Sequence, residues 1–361
     1  MNITHLQTPA FLVDGNILRQ NCDRMREKAR ASAVAFRPHV KTHKTIEIAH
    51  MQHGGAIGPI TVSTLAEAEF FADAGFRDIT YAVPIAPDKL DRVAALAKRL
   101  ERLSILIDNA EVLRSLETHG GVFDVFLKVD CGYHRAGVNP DDPDSVRLAI
   151  AIANSPAVHF QGLLTHAGHS YHARTVDEIR RVAAEETRAL TRFRDLLPEE
   201  LQNTVRSIGS TPTASVVEQF SDCDEVRPGN YVFFDAFQAT IGSCNRADVA
   251  VSVLATVVGS YPDRNESIID AGALAFSKDH GPDQIDPHFG FGVVCDDDLR
   301  PLDVRLVALS QEHGKLSAAL PIGMRVRVIP NHSCLTAAMY DRYHVVENGA
   351  VIDEWKPVRG W

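Results

Sequence analysis

Between about residue 16 and residue 230, two patterns of apolar residues alternate along the chain. Short runs rich in β-branched and aromatic residues alternate with segments of helical periodicity that end before Gly or Pro, such as LAEAEFFADAG and VDEIRRVAAEETRALTRFRDLL. The strand-like runs are 34–40, 59–64, 78–83, 103–108, 123–130, 158–165, 204–209 and 223–228. Eight strands alternating with helices predict a (β/α)8 barrel of the TIM type, which we place at residues 15–240.

After residue 245 the pattern becomes strand-like throughout, with Gly, Asp, Asn and Pro between the segments and no clear helical periodicity. The segments are VAVSVLATVVGSY, ESIIDAGAL, VRLVALSQEHG, MRVRVIPNH and YHVVENGAVIDEW. They predict a C-terminal all-β domain over residues 241–361, joined by an N-terminal strand from residues 1–14. The predicted fold class is therefore α/β, a barrel followed by a β domain.

Composition limits the classes of partner. The formal net charge of −10 argues against general binding to nucleic acid or to anionic membranes, so an anion site has to be a local positive pocket. We expect no signal peptide and no membrane span, because no apolar run approaches the roughly 20 residues that crossing a bilayer requires. The six cysteines are scattered, which predicts reduced thiols and a cytoplasmic protein.

Charged and polar residues follow five of the predicted strands. The stretch FRPHVKTHKT places Lys41 directly after the first strand. Further strand ends run into VDCGYHRAG, THAGHSY, GSTPT and RPGNY. A single lysine of this kind is usually a surface residue, but five polar strand ends at one rim are hard to explain as solvated turns. Since barrel enzymes work at the C-terminal ends of their strands, we place the active site there.

The last two strand ends suggest a phosphate site. Ser210 and Thr211 follow Gly209 at the start of a predicted helix, and Gly229 and Asn230 allow close approach of the next loop. Each motif alone is better explained as a helix N-cap or a turn. Together, a phosphate site and a strand-end lysine indicate pyridoxal phosphate, whose aldehyde reacts with a lysine amine.

At this point the sequence resembles the barrel-fold pyridoxal-phosphate enzymes of the alanine-racemase type. Within them it is most similar to the D-serine dehydratase and D-threonine aldolase group. The resemblance covers nearly the whole chain, and its motifs occur in the same order. They are RPHVKTHK, TVSTLAEAE, VDCGYHRAGV, THAGHSY, GSTPT, RPGNYVFFD, QEHG and PNHSC.

The resemblance implies a role for individual residues. Lys41 would hold the cofactor and serve as the catalytic base, whereas Lys44 would be supporting or solvent-exposed. Arg135 matches the arginine near the phenolic oxygen of the cofactor, and Arg227 stands where alanine racemases place the arginine that faces the pyridine nitrogen. The other implied cofactor contacts are His166 and Tyr171 beside the ring, and Ser210, Thr211, Gly229 and Asn230 around the phosphate.

His332 and Cys334 form a candidate metal pair. In an extended segment, residues i and i+2 point to the same side, so both side chains would reach one ion. Imidazole and thiolate suit zinc, although a mixed site with open positions also accepts manganese, magnesium or cobalt. Alone, the pair would be read as a buried cysteine beside an ordinary histidine. The resemblance implies a metal near the substrate 3-hydroxyl, and cysteine rather than aspartate favours the dehydratases over the aldolases.

The predicted function is a pyridoxal-phosphate- and metal-dependent lyase for D-3-hydroxyamino acids. Its expected reaction converts D-serine, D-threonine or D-threo-3-hydroxyaspartate to a 2-oxo acid and ammonia. One alternative is aldolase cleavage to glycine and an aldehyde. A second is a non-catalytic cofactor-binding protein, which the β domain and the His–Cys pair disfavour. The resemblance also implies a homodimer with a small-molecule substrate as its other partner.

Overall fold

The computed structural model describes residues 2–361, and the chain divides into two compact units. We call the unit formed by Asp23–Gly229 and Val358–Trp361 the barrel unit. The unit formed by the residues up to Cys22 together with Asn230–Pro357 is called the β unit. No helix among the described residues is long and apolar enough to cross a membrane.

Seventeen strands lie within residues 2–361 and are numbered along the chain. They are β1 Ala10–Asp14, β2 Ala35–Phe36, β3 Ile60–Val62, β4 Asp78–Pro84, β5 Arg102–Ile107, β6 Phe123–Lys128, β7 Val158–Leu164, β8 Val205–Ile208, β9 Glu225–Val226, β10 Val251–Tyr261, β11 Glu266–Ile269, β12 Gly292–Cys295, β13 Pro301–Leu309, β14 Gly314–Leu316, β15 Arg325–Pro330, β16 Tyr343–Glu347 and β17 Ala350–Trp355.

The α-helices are numbered in the same way. They are α1 Gly15–Ala31, α2 Ile46–Gln52, α3 Leu65–Asp73, α4 Leu90–Ala97, α5 Ala110–His119, α6 Pro143–Asn154, α7 Val176–Asp195, α8 Glu199–Gln202, α9 Thr211–Val216, α10 Ala236–Thr240, α11 Ala273–Phe276 and α12 Ser333–Ala338.

The barrel unit contains a parallel sheet of eight strands in the order β2-β9-β8-β7-β6-β5-β4-β3. A parallel bridge between His39 and Thr61 links the two ends of this order, next to β2 and β3. Each of the eight predicted runs overlaps one of these strands, with β4 and β5 each extending one residue beyond the run, so the predicted barrel is confirmed. The strands are rich in buried apolar residues because helices cover the outer face of a parallel barrel.

Helix α7 shows how the sequence specifies such a covering helix. Thr175 is its N-cap, and the Thr175 side chain accepts a hydrogen bond from the backbone N–H of Glu178. Ile179, Ala183 and Leu190 are buried at helical spacing. Glu186 is buried on the same helix although it is acidic, and apolar periodicity gives no reason for that.

The β unit contains a sheet of nine strands in the order β11-β14-β13-β12-β15-β10-β1-β16-β17. The N-terminal strand β1 pairs antiparallel with β10 and parallel with β16. Asn348 and Gly349, both at positive φ, connect β16 to β17 in the hairpin that an Asn-Gly pair favours. The expectation that no helix follows residue 245 is wrong, because α11 and α12 lie there. Both are too short for apolar periodicity to reveal them.

Candidate active site

Lys41 lies in a single 3₁₀ turn, Val40–Thr42, that follows β2. The turn begins at His39, whose imidazole accepts a hydrogen bond from the backbone N–H of Lys41. Lys41 is half-buried, whereas Val40 and Thr42 on either side are buried. The parallel strand and this turn therefore place the lysine at the C-terminal end of the barrel strands, as the sequence predicted.

Lys44, the other lysine of the motif, forms an ion pair. Its Nζ lies 2.9 Å from Oε1 of Glu67, a carboxylate that is buried in α3. The same carboxylate accepts hydrogen bonds from the backbone N–H and the hydroxyl of Ser63. Lys44 therefore compensates a buried charge.

Two imidazoles lie in the electrostatic field of Lys41. Burial, followed by the positive charge of Lys41, holds the pKa of His39 well below its usual value. The same two causes lower the pKa of His166, which follows β7, and Lys128 and Arg135 add to the effect. His166 Nδ1 also contacts the carbonyl oxygen of Gly209 in a short hydrogen bond. Both rings are therefore neutral at neutral pH and lie in a cationic region of the barrel unit.

The loop after β6 supplies Arg135, which is exposed and stacks on the ring of Tyr133 with its guanidinium carbon 5.1 Å from the ring centroid. Tyr133 also packs near His166, with 6.3 Å between ring centroids. Tyr171 lies in the 3₁₀ turn Gly168–His172 after β7. The structure thus brings Arg135 to the surroundings of His166 and places Tyr171 in the adjacent loop.

Ser210 and Thr211 lie where β8 leads into the short helix α9. Ser210 is the N-cap residue, but its side chain makes no capping hydrogen bond. Its hydroxyl instead lies 2.8 Å from the hydroxyl of Ser170 in the loop after β7. Both Ser210 and Thr211 are buried, and the first N–H groups of α9 have no side-chain cap from Ser210. A helix N-terminus without a side-chain cap is compatible with a bound anion.

Gly229 is required by the close approach of two backbones. A Cβ at this position would come within 2.8 Å of the carbonyl oxygen of His39. The backbone N–H of His39 in turn donates to the carbonyl oxygen of Pro228. Gly229 therefore lets the loop after β9 pack against the turn that carries Lys41.

Arg227 is buried and bonded to strand ends of the barrel. Its Nε donates to the Ser207 hydroxyl at 2.7 Å, and its Nη2 donates to the carbonyl oxygen of Thr165 in a short hydrogen bond. Burial lowers the pKa of Arg227 to about 10, so it remains charged at neutral pH.

Lys128 is a candidate site residue that sequence reasoning missed. It is the last residue of β6 and is only 6% exposed. Burial, followed by the charge of Arg227, lowers its pKa to about 7. The signal in the sequence was a lysine inside the apolar run FDVFLKVD. A lysine at the end of a strand is also compatible with a side chain that points to solvent, so the run alone did not indicate burial.

His332 and Cys334 do come together, but not in the predicted geometry. The extended segment assumed for them is wrong, because His332 is the N-cap of α12 and Cys334 is the second residue of that helix. The His332 side chain caps no backbone N–H of the helix and is instead hydrogen-bonded to the Cys334 side chain. His332 Nδ1 also lies 3.0 Å from Oδ2 of Asp279.

Asn230 lies beside this pair within the β unit. Its Nδ2 is 3.5 Å from the sulfur of Cys334, 2.8 Å from the Ser333 hydroxyl and 3.0 Å from Oδ2 of buried Asp235. Its buried Oδ1 has no hydrogen-bond partner. The Asn230 side chain is therefore directed to the His–Cys pair. Asp235 and Asp279 were missed because nothing near them in the sequence forms a ligand motif.

Comparison with known proteins agrees with this architecture. The family described as "Alanine racemase, N-terminal domain" matches residues 13–236, and the "Putative serine dehydratase domain" matches residues 250–346. D-serine dehydratase of Dictyostelium discoideum is 38% identical over all of this chain and 98% of its own length. D-threo-3-hydroxyaspartate dehydratase of Delftia sp. (strain HT23) is 36% identical over 99% of this chain and 98% of its own.

A solved structure also matches the complete chain. It is a cysteine-to-alanine mutant of D-threo-3-hydroxyaspartate dehydratase in the metal-free form, with a TM-score of 0.93, 35% identity and full coverage of both chains. Among more distant relatives, D-threonine aldolase of Arthrobacter sp. is 29% identical over 98% of this chain and 93% of its own.

The chain belongs to the alanine-racemase-like family of barrel enzymes, in the group that carries the serine dehydratase domain. The predicted family and fold are confirmed. The preference for a dehydratase over an aldolase is confirmed as well, because the dehydratases match at 36–38% identity and the D-threonine aldolase at 29%.

Proposed function

We propose that this protein is a pyridoxal-phosphate- and metal-dependent dehydratase that converts a D-3-hydroxyamino acid to a 2-oxo acid and ammonia. The observation that carries the proposal is the contact of His332 with Cys334, together with the Asp279 carboxylate 3.0 Å from His332 Nδ1. A carboxylate behind a histidine is the usual outer-shell arrangement of a metal ligand.

The barrel unit fits pyridoxal phosphate. Lys41 supplies an amine. Burial is the main cause of the lowered pKa of His166, and the positive charges of Lys41, Lys128 and Arg135 lower it further, so these cations create a positive field. This field suits an anionic cofactor. Ser210, Thr211 and the backbone of Gly229 and Asn230 would hold the phosphate, while Arg135, His166 and Tyr171 would contact the ring region. Arg227, bonded to strand ends, would contribute its charge.

The His–Cys pair fits a divalent metal with open coordination positions. Its donor set is one imidazole and one thiolate, and zinc is the ion that such a set favours. The amide of Asn230 lies next to Cys334, with Nδ2 3.5 Å from the sulfur, and its buried Oδ1 has no hydrogen-bond partner. Among the described residues, no group of three or more His, Cys, Asp or Glu side chains is arranged to hold a metal ion, so we assign only His332 and Cys334 as ligands, with substrate or water at the remaining positions.

The chemistry divides between the residues and the two bound groups. Lys41 would bind the cofactor, release it to the substrate amine, and then accept the Cα proton on Nζ. When bound, pyridoxal phosphate takes up the electron pair released at Cα. A metal ion acts as a Lewis acid toward the departing 3-hydroxyl group. Loss of water followed by hydrolysis yields the 2-oxo acid and ammonia.

Product analysis tests the proposed function. We expect incubation with D-serine, D-threonine and D-threo-3-hydroxyaspartate to release a 2-oxo acid and ammonia in equal amounts, with faster release when a divalent metal is present. All three products, oxo acid, ammonia and glycine, should be measured in one reaction. Glycine in place of ammonia would support aldolase cleavage instead. No turnover by cofactor- and metal-loaded protein would indicate a non-catalytic binding protein.

Stereochemistry gives a separate prediction. Because one base, Lys41, acts from one side of the substrate, only one α-configuration should react, and the family indicates D. We expect D-serine to be consumed at least about 10²-fold faster than L-serine, the difference that a single well-placed proton-transfer group makes. The measurement is ammonia release from each enantiomer at equal concentration. Comparable rates would show that a second base works on the opposite side.

Three further assignments form part of the proposal. The barrel domain, residues 15–240, would carry the cofactor, and the β domain, residues 241–361 with the strand from residues 1–14, would carry the metal. The enzyme would be a homodimer, which sedimentation at micromolar concentration would establish. It would act in the cytoplasm, consistent with its six scattered cysteines.

A further inference from the structure

Glu186 is a fully buried carboxylate in the middle of α7, and the proposed chemistry gives it no role. Burying a carboxylate is costly unless hydrogen-bond donors replace its water. Burial raises the pKa of Glu186, while three donors and the charge of Arg227 act in the opposite direction. A surface helix that only covers a barrel would gain stability from an apolar residue here. The identity of the three donors shows what the carboxylate does.

The donors belong to the ends of two neighbouring strands. Glu186 Oε1 accepts hydrogen bonds from the backbone N–H groups of Ala167 and Gly209, each at 3.1 Å. Its Oε2 accepts from the Thr213 hydroxyl at 3.0 Å. One carboxylate thus connects the segment after β7, the segment after β8 and helix α9.

These segments carry proposed cofactor contacts. Ala167 directly follows His166, and Gly209 directly precedes Ser210. Two other contacts link the same segments, namely the His166 ring with the Gly209 carbonyl oxygen and the Ser170 hydroxyl with the Ser210 hydroxyl. Glu186 is the member of this network that joins both segments to a long helix, so it ties their positions to α7.

We propose that Glu186 is a positioning residue that holds the ring-side residue His166 and the phosphate turn at Ser210–Thr211 in register for one phosphorylated pyridine ligand. This inference rests on the proposed function, because it assumes that the turn binds phosphate. The negative charge of Glu186 is not needed for this role and even opposes an anion nearby. The hydrogen-bond geometry is therefore the property that matters.

Substitutions can separate geometry from charge. Glu186→Gln removes the charge but keeps a carbonyl oxygen for both backbone N–H groups, and its amide can donate to the Thr213 hydroxyl. Glu186→Met keeps the length of the side chain and removes every acceptor. Thr213→Val is the matched control, since it removes the bond to Oε2 and leaves both backbone bonds in place.

The experiment measures the dissociation constants of pyridoxal phosphate and of pyridoxal, which lacks the phosphate, for the cofactor-free full-length protein. We expect Glu186→Met to weaken pyridoxal phosphate binding about 10- to 100-fold, the effect of losing two hydrogen bonds to a carboxylate, with a much smaller effect on pyridoxal. Glu186→Gln and Thr213→Val should each keep the preference for the phosphorylated ligand within about threefold of that of the wild type.

The outcomes distinguish this inference from the proposed function. If wild type prefers pyridoxal phosphate and Glu186→Met keeps the same preference, or weakens both ligands in parallel, Glu186 is only structural. If wild type itself shows no preference for the phosphate, the proposed function and this inference both fail. Should Glu186→Met not fold, Glu186→Asp replaces it, because its shorter side chain cannot reach both backbone N–H groups. An unchanged preference in Glu186→Asp would then overturn the inference.

Discussion

Replacing Lys41 with alanine is expected to lower dehydratase turnover by at least about 10³-fold, because the substitution removes both the cofactor-binding amine and the base. Reduction of the cofactor-loaded wild-type protein with borohydride should attach the pyridoxyl group to residue 41. The Lys41→Ala protein should carry no such group. The measurements are the rate of 2-oxo acid formation and peptide mass mapping after reduction.

Lys44→Gln is the matched control for this prediction. Glutamine can still donate a hydrogen bond to Glu67, the buried carboxylate that Lys44 pairs with at 2.9 Å. The variant should therefore keep the attachment site and most of the turnover, even if its thermal stability falls. A pyridoxyl group found on residue 44 of the wild-type protein would show that the other amine of the motif is the reactive one.

Removing the metal is expected to stop dehydration without releasing the cofactor. The proposed cofactor anchors, Lys41 foremost, lie mainly in the barrel unit, whereas His332 and Cys334 belong to the β unit. Loss of a Lewis acid costs several kcal/mol, which corresponds to about 10³-fold in rate. Chelator-treated enzyme should stay yellow and form little 2-oxo acid, and activity should return when a divalent ion is added.

Substitutions of Cys334 test the ligand directly. Cys334→Ala should behave like the chelated enzyme, with less bound metal and retained cofactor. Cys334→Asp keeps a ligand of harder character and is expected to raise the yield of glycine relative to ammonia, if the second ligand helps to select the reaction. Metal content, oxo acid, ammonia and glycine should be measured on the same preparation. Full dehydratase activity in metal-free enzyme or in Cys334→Ala would mean that the pair is structural.

The position of Lys41 illustrates what the sequence could predict. Eight strand-like runs alternate with helical segments, and only a parallel barrel places the C-terminal ends of eight such strands at one rim. Since Lys41 directly follows the first run, its location depends on local pattern and on topology alone. The same argument placed Arg135, His166 and Ser210 after their strands, in agreement with the structure.

The metal pair shows where local pattern stops being sufficient. The spacing of His332 and Cys334 was interpreted as an extended segment, but the chain turns into α12 at that point. The helix is six residues long, so it has too few turns to produce an apolar period. The two side chains nevertheless meet, because an N-cap residue and the first turn of its helix are neighbours.

The sequence by itself determined the barrel, the strand-rich C-terminal region and the order of the motifs, since periodicity and turn residues are local properties. Only the tertiary structure decided which charged groups are buried and what they bind. Lys44 is paired because Glu67 lies buried beside it, Lys128 is enclosed at the end of β6, and Glu186 joins two strand ends. The burial and the hydrogen-bond partners of a charged residue depend on contacts with residues far apart in the chain. The local sequence therefore does not predict them.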